Sequence, residues 1–112
     1  MSKFKQQVAA ITGAGSGMGR ALAQSLAQQG CHLAIADINQ KGLNETVSSI
    51  TDQLSDLRAV KITTHIVDVA DRQAMVKFAA DVVDEHGKVN MIFNNAGVTV
   101  IDSVEHMSDD NF

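Results

Sequence analysis

No tyrosine, tryptophan or proline occurs among the 112 residues, and there is one cysteine. Without tyrosine the chain has no phenol to serve as an acid or base. The lone Cys31 excludes an internal disulfide framework and suits a reducing compartment. It stands at the start of a strand-like run and reads as a small core residue. His32, His65, His86 and His106 have no metal-ligand spacing, so no metal site is expected. Nine Lys and Arg against thirteen Asp and Glu leave a net charge of −4, which offers nucleic acid no basic footprint. Long apolar runs are missing too. The basic stretch Met1–Lys5 leads into only four consecutive apolar residues, Val8–Ile11. A secretory signal needs roughly 7–15, and a membrane span roughly 20. The expectation is a cytoplasmic protein with no membrane and no nucleic-acid partner.

The positive content begins with one domain, residues 1–112, of which 45% is apolar. A chain of this size buries roughly two-thirds of its unfolded surface, so a real core is possible. Strand-like and helix-like pieces alternate without linker, repeat or low-complexity segment. Val8–Ile11 reads as a first strand. Met18, Ala21, Leu22, Ser25 and Leu26 recur at helical spacing, with Gly30 as the residue that ends the helix. Leu33–Ala36 is a second strand closed by Asp37. Asn39 caps a second helix, with Leu43, Val47, Ile50, Leu54 and Leu57 inward. Val60–Val67 alternates apolar with polar residues, which places this third strand at a sheet edge. Asp71 caps a third helix, with Met75, Phe78, Ala79, Val82 and Val83 inward and Gly87 at its end. Val89–Phe93 is a fourth strand, and Ser108 with Asp109 and Asp110 marks another helix start. Repeated β–α–β units imply a parallel sheet with right-handed crossovers. The expected fold is α/β, a Rossmann-type doubly wound sheet showing its first four strands, in the order 3-2-1-4, and three helices. A ligand would lie at the carboxyl ends of strands 1 and 4.

Between the first strand and the first helix lies Thr12–Gly13–Ala14–Gly15–Ser16–Gly17–Met18–Gly19. A side-chain-poor turn running into a helix N-terminus offers free amides and partial positive charge to a phosphate. The spacing is not G-x-G-x-x-G, because its last glycine would fall on Met18 or Arg20. It fits T-G-x-x-x-G-x-G through Thr12, Gly13, Gly17 and Gly19. No Lys–Ser or Lys–Thr follows, which excludes Walker A.

Asp37 ends the second strand, 18 residues after Gly19. A carboxylate there can accept from the ribose hydroxyls of an adenosine, each such bond contributing about 1.5–3 kcal/mol. A 2′-phosphate would instead meet a like charge, a repulsion of about 4 kcal/mol at about 4 Å and an effective dielectric of about 20. NAD is therefore expected over NADP. Neither Ser16 in the loop nor Ile38 after the acid is basic enough to reverse this, and Arg20 opens the helix in a solvated or structural role. Asp68–Val69 follows the third strand, where a carboxylate and an amide can meet an adenine, although a helix-capping acid has the same signature. Asn94–Asn95–Ala96–Gly97 follows the fourth strand, with two amides to brace the sheet and small residues that leave room for a ribose. Val98–Ile101 reads equally as an ordinary loop or a substrate-pocket wall.

Together these segments resemble the short-chain dehydrogenase/reductase family. The resemblance runs through all 112 residues in order. It implies NAD(P)-dependent interconversion of an alcohol and a carbonyl. It implies that Gly13, Gly15, Ser16, Gly17, Met18 and Gly19 hold a pyrophosphate, Asp37 the adenosine ribose, and Asp68 and Val69 the adenine, with Ile38 also among the cofactor-binding residues. Asn95, Ala96 and Gly97 would lie beside the adenosine and ribose, with Asn94 bracing the sheet. A homodimer or homotetramer acting on a small alcohol or carbonyl substrate is expected.

The family's acid/base pattern, a tyrosine with a lysine four residues on, is impossible in a chain without tyrosine. Strand 4 would also be left as an apolar edge, an aggregation liability. The chain therefore reads as the N-terminal part of a longer enzyme, with no catalytic residue of its own. The alternatives are an inert NAD-binding module and, on the acid after strand 2, an S-adenosylmethionine methyltransferase. The Thr12-led spacing and Asn94–Gly97 argue against the latter.

Overall fold

A computed structural model describes residues 5–54, 59–95 and 99–101. The expectations for Leu57, Ala96, Gly97, Val98, His106 and the helix start at Ser108 fall outside the described residues. Strand β1 (Val8–Thr12) is buried at every position. It carries side chains of alternating direction, and both sets are covered: Ala9 and Ile11 join one core, Val8 and Ala10 the other. That is the condition of a central parallel strand, and it explains the unbroken apolar run.

Helix α1 (Gly17–Gln28), strand β2 (His32–Asp37) and helix α2 (Gln40–Gln53) follow. Strand β3 (Ile62–Ile66), helix α3 (Arg72–His86) and strand β4 (Met91–Asn94) complete the alternation. The order is β3-β2-β1-β4, with each of these pairs parallel. β3 lies at the edge with no fully buried residue, as its alternating sequence predicts.

The helix punctuation is local chemistry. The Asn39 side chain accepts from the Gly42 amide and the Asp71 side chain from the Ala74 amide, each closing an otherwise unpaired donor of a first turn. Gly30 and Gly87 take φ of 85° and 81°, the left-handed turn that ends a helix.

Helices α1 and α2 bury Ala23, Leu26, Ala27, Leu43 and Ile50 against one face of the sheet. Helix α3 covers the other with Phe78 and Val82. Val83 was expected inward but is 46% exposed. The buried pair Phe78 and Val82 is spaced by one helical turn, and the next residue is rotated off that narrow stripe.

A second correction concerns β4. It does not end the sheet, because β5 (Thr99–Ile101) pairs with it antiparallel, Ile92 opposite Ile101 and Asn94 opposite Thr99. The stretch expected as loop or pocket wall thus supplies a strand. A parallel neighbour for β4 would need a long crossover, whereas an antiparallel return needs only a few residues.

Candidate functional site

The parallel registers set Thr12 opposite both Ala36 and Asn94. The carboxyl ends of β2, β1 and β4 therefore finish level, where the connection order reverses between β1 and β4. Crevices of α/β sheets form at such reversals.

The glycine run crosses this edge. The Ala14 amide donates to the Ala36 carbonyl at 3.0 Å. Ser16 occupies the N-cap of α1 in extended conformation, its hydroxyl makes no capping bond, and no acid stands in the first turn. Gly17 takes φ of 56°. Ser16, Gly17 and Met18 are exposed, Met18 at 82%. The positive end of the helix thus faces outward uncapped by its own side chains, the arrangement that binds anions. Gly19 is turned inward. A Cβ there would sit 2.1 Å from the Gly13 carbonyl oxygen, so the loop folds onto the helix only with glycine at this position.

Asp37 does more than end β2. One carboxylate oxygen accepts from the Gly15 amide at 2.9 Å and the other from the Asn39 amide at 3.1 Å. A Cβ on Gly15 would lie 2.8 Å from the first of these oxygens. Asp37, Gly13, Ile38, Val67, Asp68 and Val69 line one cleft of about 130 Å³. Five of these six were expected in a cofactor site from sequence, Gly13 at its pyrophosphate end and the rest near Asp37 and Asp68; Val67 was not. Asp68 also accepts from the Ala70 amide at 2.9 Å, closing its own turn, while Asp71 caps α3.

At the end of β4 the two amides act on β1. The Thr12 hydroxyl donates to Asn94 Oδ1 at 2.9 Å, and Asn95 Nδ2 donates to the Thr12 carbonyl at 3.0 Å. Asn90 does the same at the strand's entrance, its Oδ1 accepting from the Val8 amide at 2.8 Å. Bracing by Asn94 is as expected, and Asn95 joins it.

A family model described as short chain dehydrogenase matches residues 7–112. The chain belongs to the short-chain dehydrogenase family. This short-chain dehydrogenase chain is 39% identical over 105 residues to a putative oxidoreductase SadH of Mycobacterium tuberculosis, covering 94% of the chain and 36% of that relative. It is 38% identical over 108 residues to cyclohexanol dehydrogenase of Acinetobacter sp., covering 96% of the chain and 41% of that relative. Among solved structures, a short chain dehydrogenase/reductase from Burkholderia phymatum in complex with NAD matches with a TM-score of 0.71 at 32% identity, over 82% of this chain and 31% of that one. The chain thus spans 36–41% of the length of these two curated relatives.

Several groups stand outside this cleft. Cys31 is fully buried, and burial pushes its thiol up to about 11, as befits an inert core residue. His32, His65 and His86 gather on the β3 side of the sheet, where burial lowers each below the usual histidine range. Among the described residues no cluster of three metal-ligating side chains forms. Among the described residues no helix is long and apolar enough to cross a membrane. Sequence reasoning missed Gly42 and Thr46 on α2, which touch the glycine loop through space and carry no local motif.

Proposed function

We propose that this chain is the cofactor-binding portion of an NAD-dependent short-chain dehydrogenase that interconverts a secondary alcohol and a ketone. The observation that carries the reading is the cleft in which Gly13, the Asp37 carboxylate and Asp68 meet beside an uncapped helix start. In this reading the loop from Gly13 to Gly19 receives the pyrophosphate, at the exposed start of α1. Asp37 receives the adenosine ribose hydroxyls, with Ile38 beside it. Asp68 and Val69 meet the adenine, and Asn95, Ala96 and Gly97 flank the adenosine and ribose.

The residues fit such a group. The crevice is open, its phosphate end carries no acid of its own first turn, and its ribose end carries a carboxylate. When bound, a nicotinamide dinucleotide supplies the hydride donor or acceptor. These residues orient it and hold its anionic part. The chain has no tyrosine, so the phenol that moves the proton in the family's pattern lies outside these residues. The NAD-bound Burkholderia phymatum relative supports the cofactor, and the cyclohexanol dehydrogenase supports the substrate class. The reading extends to a cytoplasmic homodimer or homotetramer, and the buried free thiol of Cys31 suits a reducing compartment.

Calorimetric titration of the full-length enzyme with NAD and NADP tests the reading. The expected preference for NAD is about a thousandfold, from the repulsion between Asp37 and a 2′-phosphate. Asp37→Asn keeps an acceptor for the Gly15 amide but removes the charge, and should shrink that preference at least tenfold. Equal affinity for the two cofactors in the unaltered protein would remove Asp37 from the site.

A further inference from the structure

Two successive carbonyl oxygens of the glycine loop are held from the α2 side. The Thr46 hydroxyl, fully buried, donates to the Ala14 carbonyl at 2.7 Å. Arg20 donates through Nε to Thr46 Oγ1 at 2.9 Å and through Nη2 to the Gly15 carbonyl at 2.5 Å. The same Nη2 lies 3.3 Å from the Gly42 carbonyl and 3.4 Å from Glu45. Helix α2 reaches this close only because residue 42 is glycine: a Cβ there would sit 2.6 Å from the Gly15 carbonyl oxygen.

A trans peptide points its C=O and the following N–H in opposite directions. With the Ala14 carbonyl fixed on Thr46, the Gly15 amide faces the other way, and it is there that it meets Asp37. With the Gly15 carbonyl fixed on Arg20, the Ser16 amide likewise faces away from α2, at the exposed start of α1.

We infer that Arg20 and Thr46 are positioning residues for cofactor binding: they anchor the two carbonyls whose peptide planes aim the Gly15 and Ser16 amides. The inference rests on the reading of residues 13–19 as the cofactor seat. It also gives Arg20 its role. Its guanidinium is committed beneath the loop, to Thr46 and to main-chain oxygens, and not to a 2′-phosphate. Planar, forked donors suit that task and a lysine ammonium does not.

The test uses the full-length enzyme with NAD as probe, read by calorimetric Kd and by KM and kcat separately. Thr46→Val should weaken NAD binding about tenfold, as expected for buried hydrogen-bonding groups left unpaired, with the loss in KM and kcat kept within about twofold. Thr46→Ser keeps the hydroxyl and should restore the affinity. Arg20→Lys, whose side chain reaches the solvent edge and leaves the core intact, should weaken binding about fivefold by the same loss. Ile50→Val on the same helix should lower the Tm and leave the Kd unchanged. Wild-type affinity in either Thr46→Val or Arg20→Lys overturns the inference, as does an equal loss in Ile50→Val. An unaltered protein that binds no NAD overturns the underlying reading instead.

Discussion

The two faces of the sheet are built to different depths. On one, α1 and α2 lock onto β1 and β2 through large buried side chains, and the loop between β1 and α1 is pinned by Asp37, Thr46 and Arg20. On the other, α3 stands alone, with only Phe78 and Val82 of its own residues fully inward and Val76 and Val83 about half exposed. There the edge is joined by titratable groups. Thr63 Oγ1 lies 2.8 Å from His65 Nε2 and 2.9 Å from His86 Nε2. The Lys61 amide donates to His32 Nδ1, and the Lys61 ammonium donates to the Glu85 carbonyl. One hydroxyl has one proton, so Thr63 can donate to at most one of the two imidazoles, and at least one of them donates to Thr63. The half that carries the glycine loop is ordered by packing and backbone bonds, and the other is joined by groups that pH can change.

The largest test of this contrast is Gly19→Ala. Its methyl group meets a backbone oxygen at 2.1 Å, which no rotamer relieves. We expect a loss of more than about 4 kcal/mol, the range reserved for severe backbone and packing conflicts, seen as failure to show a cooperative thermal transition. A normal transition would mean that the loop is not pinned as the geometry indicates.

Next come truncations on the two helical layers. Leu43→Ala on α2 removes a fully buried side chain and should cost about 2–5 kcal/mol in denaturant unfolding. Val83→Ala on α3, about half exposed, should stay within about 0.5 kcal/mol. Comparable losses would erase the difference between the layers.

The caps should be smaller and equal. Asn39→Ala and Asp71→Ala each free one first-turn amide and should each cost about 1 kcal/mol. A markedly larger cost at Asn39 would show that α2 transmits its start to the loop.

The gentlest effect is pH. Burial lowers His65, His86 and His32 relative to the unfolded chain, so between the folded and unfolded pKa values the unfolded state binds more protons. Stability from these groups is complete above the usual histidine pKa of about 6.5 and is lost as pH falls below it. Melting curves between pH 7.5 and 5 should show a falling Tm, and Thr63→Val with His65→Gln should flatten that slope. An unchanged slope would assign the acid sensitivity elsewhere.

Most of the scaffold was legible because its signals are local. Asn39 and Asp71 cap what they precede, Gly30 and Gly87 end what they follow, and the alternation in β3 announces an edge. The cleft residues Gly13, Asp37, Ile38, Asp68 and Val69 were legible for a related reason: strand ends in a parallel sheet converge whatever the side chains between them. What escaped depends on contacts across the chain. Gly42 and Thr46 are an ordinary helical glycine and threonine until α2 lies on the loop, 32 residues from Ala14 in the case of Thr46. Val83 fits a helical stripe by period, but the width of the buried stripe is set by how α3 sits on the small side chains Ala10, Ala34 and Ala36. The Thr99–Ile101 strand carries too few residues for any period to declare itself.

The doubly engaged carboxylate of Asp37 has a consequence for descent and for engineering. One residue fastens two main-chain amides and, on the proposed reading, presents the charge that would sort one dinucleotide from another. A lineage that exchanged it to admit a phosphate would also release Gly15 and Asn39 from their acceptor. On that reading a change of taste at this position arrives with a loosened loop, and a successful switch has to supply a new acceptor for two amides before it supplies a new positive charge.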